Sequence, residues 1–340
     1  AFRVAVDLPT GLGTTMAFQP DLTVALHAPK AGVPTEDLGD QVVVDIGIPE
    51  KAWTYTGPGE FCLYPRPDAD QHKGQGGFVL VVGGGPYSGA PALAALAAMR
   101  TGADLSFVLT PENVWPSVAS FTPNIVAHPL EGENLDLENP KNRVDLNKWL
   151  GMVDAMVIGP GLGKMGGVKE GVPIAVERAL ELEIPFVADA DALWALAENE
   201  IDLHDRAVIT PHAKEFEVLT GKAVPEAGDV EGRVTVAQEA AASMRATVLL
   251  KGPTDIVAEA RKAKRNATGT SSMSHGGTGD VLTGIVAGLL AKGLSPFDAA
   301  RLGAFISGKA GEVATREKSY GMLATDVVEA IPEVLRAYLD

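Results

Sequence analysis

An α/β fold, with a parallel sheet covered by helices on both faces, is the architecture this sequence predicts. Three observations carry the prediction. From Lys73 onward, short apolar runs alternate with helical stretches, the signature of successive βαβ units. The runs are continuously apolar rather than alternating, so both faces of each strand need covering. Every Gly-rich loop follows a strand or precedes a helix, the place where such folds bind ligands.

At 340 residues the chain has room for one large α/β domain and something smaller. The smaller part is Ala1–Pro49, with strand-like runs at Val4–Val6, Leu22–Leu26 and Val42–Ile46 joined by Pro/Gly turns. Three strands do not bury a core by themselves, so this part is expected to lean on something else. The chain opens without Met, in a strand already under way at Phe2–Asp7, which reads as a fragment or a processed product and not as a signal peptide. A Pro/Gly-rich connection containing Pro58, Pro65 and Pro67 follows, giving an expected division into residues 1–50, a linker over 51–71 and a main domain over 72–340.

In the main domain Phe78–Val82 is a strand ending in three glycines, and the helix Ala92–Arg100 stops at Gly102. Leu105–Leu109 and Val153–Ile158 read as buried strands. Pro173 suits the first turn of a helix over Ile174–Leu182. Pro185–Ala188, Ala207–Ile209 and Thr247–Leu250 are further strands, with helices at Asp191–Ala197, Lys214–Leu219 and Val234–Met244 between them. The end is helical: Val281–Leu290, Pro296–Val313 behind a Ser295 cap, and Asp326–Tyr338 behind a Thr325 cap.

Composition excludes several classes of function. A net charge of −16 leaves no basic excess for general nucleic-acid binding. The one dense basic cluster, Arg261, Lys262, Lys264 and Arg265, reads as a solvated hairpin tip. No apolar run approaches the roughly 18 residues that a membrane span needs. The single Cys62 rules out an internal disulfide and fits a reducing cytoplasm.

The chemistry concentrates between Asn266 and Asp280, just ahead of the apolar helix. Glycines there let backbone N–H groups approach an anion, and a helix start favours negative charge. Asp280 stands where a phosphate acceptor's hydroxyl needs a base, so the pattern reads as phosphoryl transfer, with simple helix capping as the alternative. Gly159–Gly163 and Gly83–Gly89 are tight turns or ligand loops. Neither carries the Lys-Ser/Thr of a P-loop, and the second departs by one residue from GxGxxG. Asp189 and Asp191 close a strand and suit Mg²⁺ or its water shell, or a helix cap. His212 and Glu215 are either polar-substrate contacts or solvated, and Lys251–Asp255 is either a phosphate loop or a hairpin turn.

Taken in order, these segments resemble the ADP/ATP-dependent NAD(P)H-hydrate dehydratases, a branch of the ribokinase-like superfamily, over roughly His72–Leu339. The matching pieces are His72-Lys-Gly74, Gly89-Ala-Pro91, Arg100-Thr-Gly-Ala103, Ile158–Gly163, Asp189-Ala-Asp-Ala-Leu193, Thr210-Pro-His212 with Glu215-Phe216, Leu250-Lys-Gly252, Asn266–Gly284 and Gly321–Asp326. Hydroxyethylthiazole and pyrimidine kinases share the Gly-Thr-Gly-Asp element but not the set. The resemblance implies a ribokinase-like parallel sheet preceded by a partial Rossmann-like segment. It also implies a repair reaction: phosphorylation of the ring hydroxyl of the S-form hydrates NADHX and NADPHX by ADP or ATP, with Mg²⁺, followed by loss of phosphate. Asp280 matches the base and a hydrate contact, and Ala90, Gly161, Gly163 and His212 match further hydrate contacts. Lys251, Gly252, Pro253, Thr254 and Asp255 match the nucleotide cradle, together with Thr270, Ser271, Ser272, Met273, Ser274, His275, Gly276, Gly277, Thr278 and Gly279. Thr270 stands where the family usually has Asn.

Ala1–Pro49 resembles the end of the NAD(P)H-hydrate epimerase domain often fused ahead of the dehydratase. There Asp7 lines up with a hydrate-binding acid and Thr10 with a potassium ligand. The larger part of that fold is not in this chain, so epimerase activity is not expected from it alone; a complete protein carrying the rest would be bifunctional. A homo-oligomer is the expected assembly. The competing readings are a vitamin-precursor kinase of the same fold, against which the Pro-His-x-x-Glu loop tilts, and a non-catalytic nucleotide-binding regulator, which should lack Asp280.

Overall fold

The computed structural model describes residues 1–340 apart from 31, 68, 69, 71, 73 and 200. Lys73, in the His72-Lys-Gly74 piece of the resemblance, and part of the expected linker lie outside the described residues. The chain divides into two compact units, Ala1–Thr54 and Tyr55–Asp340.

The small unit holds β1 (Val4–Val6), β2 (Leu22–Leu26), the helical turn α1 (Thr35–Leu38), β3 (Asp40–Val44) and a second turn, α2 (Lys51–Thr54). Its strands lie in the order β1-β2-β3, all parallel. The third strand begins two residues ahead of its apolar run because Asp40 pairs with Leu22. Val42, Val43 and Val44 stay exposed, as expected of a sheet too small to cover both its faces.

The large unit runs β4 (Phe78–Val82), α3 (Gly89–Arg100), β5 (Leu105–Pro111), α4 (Trp115–Ser120), β6 (Ile125–Leu130), α5 (Pro140–Leu150), β7 (Ala155–Ile158), α6 (Val168–Glu181), β8 (Phe186–Ala188), α7 (Asp191–Ala197), β9 (Ala207–Ile209), α8 (Ala213–Thr220), α9 (Val230–Met244), β10 (Thr247–Leu250), β11 (Asp255–Glu259), β12 (Lys262–Asn266), α10 (Thr278–Ala291), α11 (Pro296–Lys318) and α12 (Ala324–Leu339). Its nine strands form one sheet in the order β12-β11-β10-β9-β8-β7-β4-β5-β6. Strands β4 to β10 are mutually parallel, as the apolar runs predict. β11 and β12 are antiparallel, because the link from β10 to β11 is too short for a crossover helix and can only turn back. α3, α10, α11 and α12 cover one face, while α5, α6, α7 and α9 cover the other.

Several elements differ from the sequence expectation. β6 and its flanking helices α4 and α5 were not foreseen; β6 carries His128 and Pro129, which an edge strand tolerates and a central one does not. Pro173 lies inside α6 instead of opening it. Thr325 does not cap α12; Leu323 occupies that position, and Asp326 accepts its N–H at 2.7 Å. Ser295 does cap α11, accepting from the Asp298 N–H at 3.2 Å. The stretch after Thr54, expected as linker, packs into the large unit: Phe61 stacks on Tyr338 at 4.9 Å, and the Tyr64 hydroxyl donates to the Thr101 carbonyl at 2.9 Å. The basic cluster is not all hairpin tip either. Lys264 reaches the buried Glu60 at 3.3 Å, and the buried Arg265 pairs with Glu231 at 2.6 Å, which leaves Arg261 and Lys262 exposed.

The packing of α10 on α3 positions the site. Gly284 faces the backbone of α3, and a methyl group there would collide with the Ala94 carbonyl; at Gly288 a methyl would sit 2.8 Å from the Ala98 carbonyl oxygen. The missing side chains let the two helices touch, which brings both N-termini to the same edge of the sheet. Gly284→Val is expected to lower the unfolding free energy by about 3 kcal/mol, the upper end for overpacking. A urea titration checks this: the midpoint falls while the slope holds.

Candidate active site

Five neighbouring parallel strands, β10, β9, β8, β7 and β4, end at one edge of the sheet and hand over there to loops. The loops interlock through glycines. A side chain at Gly159 would strike the Asp189 carbonyl, and a methyl at Gly83 or Gly85 would lie 2.5 or 2.7 Å from the carbonyls of Pro160 and Leu162. Gly161 lies against Ala90 at the start of α3, a methyl there falling 3.2 Å from the Ala90 methyl. The Gly163 N–H donates to Asp191 at 2.8 Å. Asp191 therefore fixes the glycine loop instead of capping α7, whose N-cap is Ala190 in a positive-φ conformation (φ 50°) that non-glycine residues rarely adopt. Ala90, Gly161 and Gly163, predicted separately, are brought together.

A buried charge cluster lies next to them. Lys251, just beyond β10, places Nζ 2.9 Å from Asp189 and 3.8 Å from Glu215. The other oxygen of Asp189 accepts from the Thr283 hydroxyl of α10 at 2.8 Å. Burial works against the Asp189 charge, but the Lys251 ammonium and the hydrogen bonds from Lys251, Thr283 and Thr210 hold its carboxyl below the ordinary range. Burial works against Lys251 as well, and Asp189 and Glu215 outweigh it, so the lysine is raised. Both oxygens of Asp189 are thus engaged, and Asp191 holds Gly163. Among the described residues no group of three His, Cys, Asp or Glu side chains is arranged to hold a metal ion.

Asp280 enters this cluster from the start of α10. The helix is capped by the backbone of Gly277 (φ 95°), with Asp280 three positions on and making no capping bond. Capping does not explain it. Among the described residues no hydrogen bond or ion pair engages its carboxylate. Burial first, then the Asp189 charge, push its carboxyl up to about 7, with Lys251 pulling the other way and Asp191 and Glu215 adding to the rise. The N–H groups of Thr278, Gly279 and Asp280 have no acceptor within the helix. Gly279 lies next to the charge cluster: a methyl there would lie 3.5 Å from the Lys251 Nζ, in ordinary contact. An unpaired carboxylate poised to take a proton thus shares its surroundings with free N–H groups and an ammonium, a setting for an anion and a proton acceptor at once.

The remaining predicted residues fall into place unevenly. Thr278 donates its hydroxyl to the carbonyls of Met273 and His275, at 2.8 and 3.0 Å, and so knits its own loop. Ser272 is buried, whereas Ser271, Ser274, His275 and Gly276 are exposed. The Thr270 hydroxyl lies 2.8 Å from that of Thr315. Gly252 and Pro253 are exposed and Thr254 half-buried. Lys251 points to Asp189, and Asp255 accepts from the Gly252 N–H at 2.9 Å and from Asn266 at 3.0 Å. His212 caps α8, its Nδ1 accepting from the N–H groups of Lys214 and Glu215 at 3.1 and 3.2 Å, which leaves the proton on Nε2. Glu215 returns the bond to the His212 N–H at 2.9 Å, a capping box that its spacing could have revealed. Thr283 and Thr210 had no such signal. Asp7 and Thr10 belong to the small unit, where Asp7 pairs with Lys30 and accepts from the Leu26 N–H at 3.3 Å, and the Thr10 carbonyl accepts from the Phe18 N–H at 2.8 Å.

Residues 79–333 match the family model described as NAD(P)H-hydrate dehydratase. The chain belongs to the NAD(P)H-hydrate dehydratase family. It is 43% identical to the bifunctional NAD(P)H-hydrate repair enzyme Nnr of Hyperthermus butylicus over 98% of its own length, and spans 64% of that relative. It is 34% identical to the ADP-dependent (S)-NAD(P)H-hydrate dehydratase of Cenarchaeum symbiosum, over 81% of this chain and 93% of the relative. Among solved structures, the ADP/ATP-dependent NAD(P)H-hydrate dehydratase of Bacillus subtilis, co-crystallised with ATP/Mg²⁺, is 28% identical with a TM-score of 0.69, covering 86% of this chain and 99% of that one. The matched span carries Asp189, Glu215, Lys251 and Asp280.

Two measurements test the charge cluster. Lys251→Met strands the buried Asp189 without its cation and is expected to cost about 3–5 kcal/mol of stability, read by chemical denaturation. Asp280 keeps its proton up to about pH 7 in the folded chain, against an ordinary 3.8. Between those values the folded state binds more protons, so stability falls as pH rises from 4 to 7 and is flat above. Asp280→Asn is expected to flatten that slope and to raise the thermal midpoint at pH 8.

Proposed function

We propose that the large unit dehydrates the S-form hydrates NADHX and NADPHX to NADH and NADPH, at the expense of ADP or ATP. The observation that carries this reading is Asp280: an unengaged carboxylate with its pKa near 7, beside the open N–H groups of α10 and the Lys251 ammonium. In this reading Asp280 takes the proton of the ring hydroxyl as that oxygen attacks the terminal phosphorus of the nucleotide. The bond from phosphorus to its bridging oxygen breaks, and AMP or ADP departs. The α10 N–H groups and Lys251 face the charge that develops on the transferred phosphoryl group. The ring nitrogen then pushes out phosphate, and loss of a proton from the neighbouring carbon restores the ring double bond. Ala90, Gly161, Gly163 and His212 would hold the hydrate, and the 251–255 and 270–279 stretches the nucleotide.

Mg²⁺ would enter as the counter-ion of the nucleotide phosphates, in keeping with the ATP/Mg²⁺ of the Bacillus subtilis enzyme. We read the small unit as part of an epimerase-like domain, supported by the bifunctional name of the Hyperthermus butylicus relative, with Asp7 and Thr10 in the roles of hydrate acid and potassium ligand. We assign the protein to the cytoplasm, as a homo-oligomer.

Recovery of near-ultraviolet absorbance from NADH hydrate, with ADP, ATP or neither and with Mg²⁺, tests the activity. Nucleotide-dependent recovery with release of phosphate is expected, rising with pH along one acidic limb near 7. Asp280→Asn should lose about 10²–10⁴-fold in rate while still binding nucleotide, the usual worth of a general base. A stable phosphorylated product would instead identify a kinase, and an unchanged rate in Asp280→Asn would remove the base from the mechanism.

A further inference from the structure

The two stretches assigned to the nucleotide, 251–255 and 270–279, are separated in the chain by the β11–β12 hairpin. One side chain joins them. Asn266, the last residue of β12, is 1% exposed and uses its full hydrogen-bonding capacity. Its Nδ2 donates to Asp255 at 3.0 Å and to the Ala304 carbonyl at 3.2 Å. Its Oδ1 accepts from the hydroxyls of Thr56 and Thr268, both at 2.8 Å. Asp255 passes the link on by accepting the Gly252 N–H at 2.9 Å. From Thr268 the other stretch continues with the Gly269 N–H on Glu312 at 3.1 Å and the Thr270 hydroxyl on Thr315.

We propose that Asn266 is the positioning residue that sets the spacing of the two nucleotide-contacting stretches, and that Asp255 acts through it and not on the nucleotide. The inference rests on the nucleotide-dependent reading above. An uncharged amide is the group this place requires, since it donates toward a carboxylate and a carbonyl on one side and accepts two hydroxyls on the other. An aspartate would set two carboxylates face to face, and an apolar residue would leave four partners, all wholly or partly buried, without their bond to the amide. Desolvation already pushes the Asp255 carboxyl above its ordinary range, and the Asn266 amide is the first group that opposes this. From below, Arg233, 4% exposed, donates to the Lys251 carbonyl at 3.1 Å, and a methyl at Gly252 would lie 2.5 Å from its guanidinium. Arg233 thus holds the 251–255 loop as well, while the Asn266 link runs on to the other stretch.

Calorimetric titration of ADP and ATP, each with Mg²⁺, into Asn266→Asp and Thr268→Val tests this, alongside steady-state kinetics. Asn266→Asp is expected to weaken nucleotide binding by about tenfold or more, equivalent to about 1.4 kcal/mol. The KM for the hydrate and the acidic limb near pH 7 should stay in place. Thr268→Val, which deletes one hydroxyl and no charge, is expected to weaken binding by about threefold; it carries the test if Asn266→Asp does not fold. Nucleotide affinity within twofold of the parent in a folded variant overturns the proposal, as does a rise confined to the hydrate KM. A parent protein that binds neither nucleotide overturns the dehydratase reading and this inference together, whereas a parent that binds and variants that match it overturn the inference alone.

Discussion

The buried pair between Lys251 and Asp189 is the constraint on which the site depends. Asp189 follows β8 and is 2% exposed; Lys251 follows β10, across the intervening β9. Neither charge is tolerable there without the other, so the ends of β8 and β10 are tied at 2.9 Å across β9. The pair does not balance its surroundings. Glu215 and Asp280 also act on the same ammonium, and Asp191 adds its charge beside Asp280. Asp280, the one carboxylate among them with no bond of its own, absorbs the imbalance as a raised pKa. A group tuned this way is a base near neutral pH because of its burial first and the charges around it second.

Close backbone approach is the second requirement. Carbonyl oxygens of Asp189, Pro160 and Leu162 lie where side chains at Gly159, Gly83 and Gly85 would be, and the Ala94 carbonyl lies where one at Gly284 would be. The first three glycines shut the loops around the strand ends. The fourth lets α10 settle onto α3, so that the helix start carrying Asp280 and the one carrying Ala90 share an edge. An alanine would fit the propensity of either helix better. The geometry explains why none is there.

Much of this was legible in the residues. The parallel strands from β4 to β10 announced themselves as unbroken apolar runs, and Asp280 stood out through the glycines before it. What was not legible depends on partners distant in sequence. The β6 run carries His128 and Pro129, which argue against a strand until its place at the sheet edge is known. Lys264 and Arg265 look like a solvated tip until Glu60 and Glu231 are found beside them. Asp191 reads as a cap by its position, yet its acceptor goes to Gly163, 28 residues away.

Local sequence alone determined the alternation of elements, the ligand edge of the sheet, the open helix start and the residue set that the dehydratase family shares. These follow from short-range chemistry: apolar continuity, glycine freedom and the unpaired N–H groups of a helix terminus. The tertiary structure alone decided which charges meet. It paired Lys251 with Asp189, turned Asp255 toward Asn266, and left Asp280 unengaged at a pKa near 7. The physical reason is that desolvation and Coulomb terms depend on distances between residues far apart in the chain, and those distances exist only once the strands have paired and the helices have closed over them.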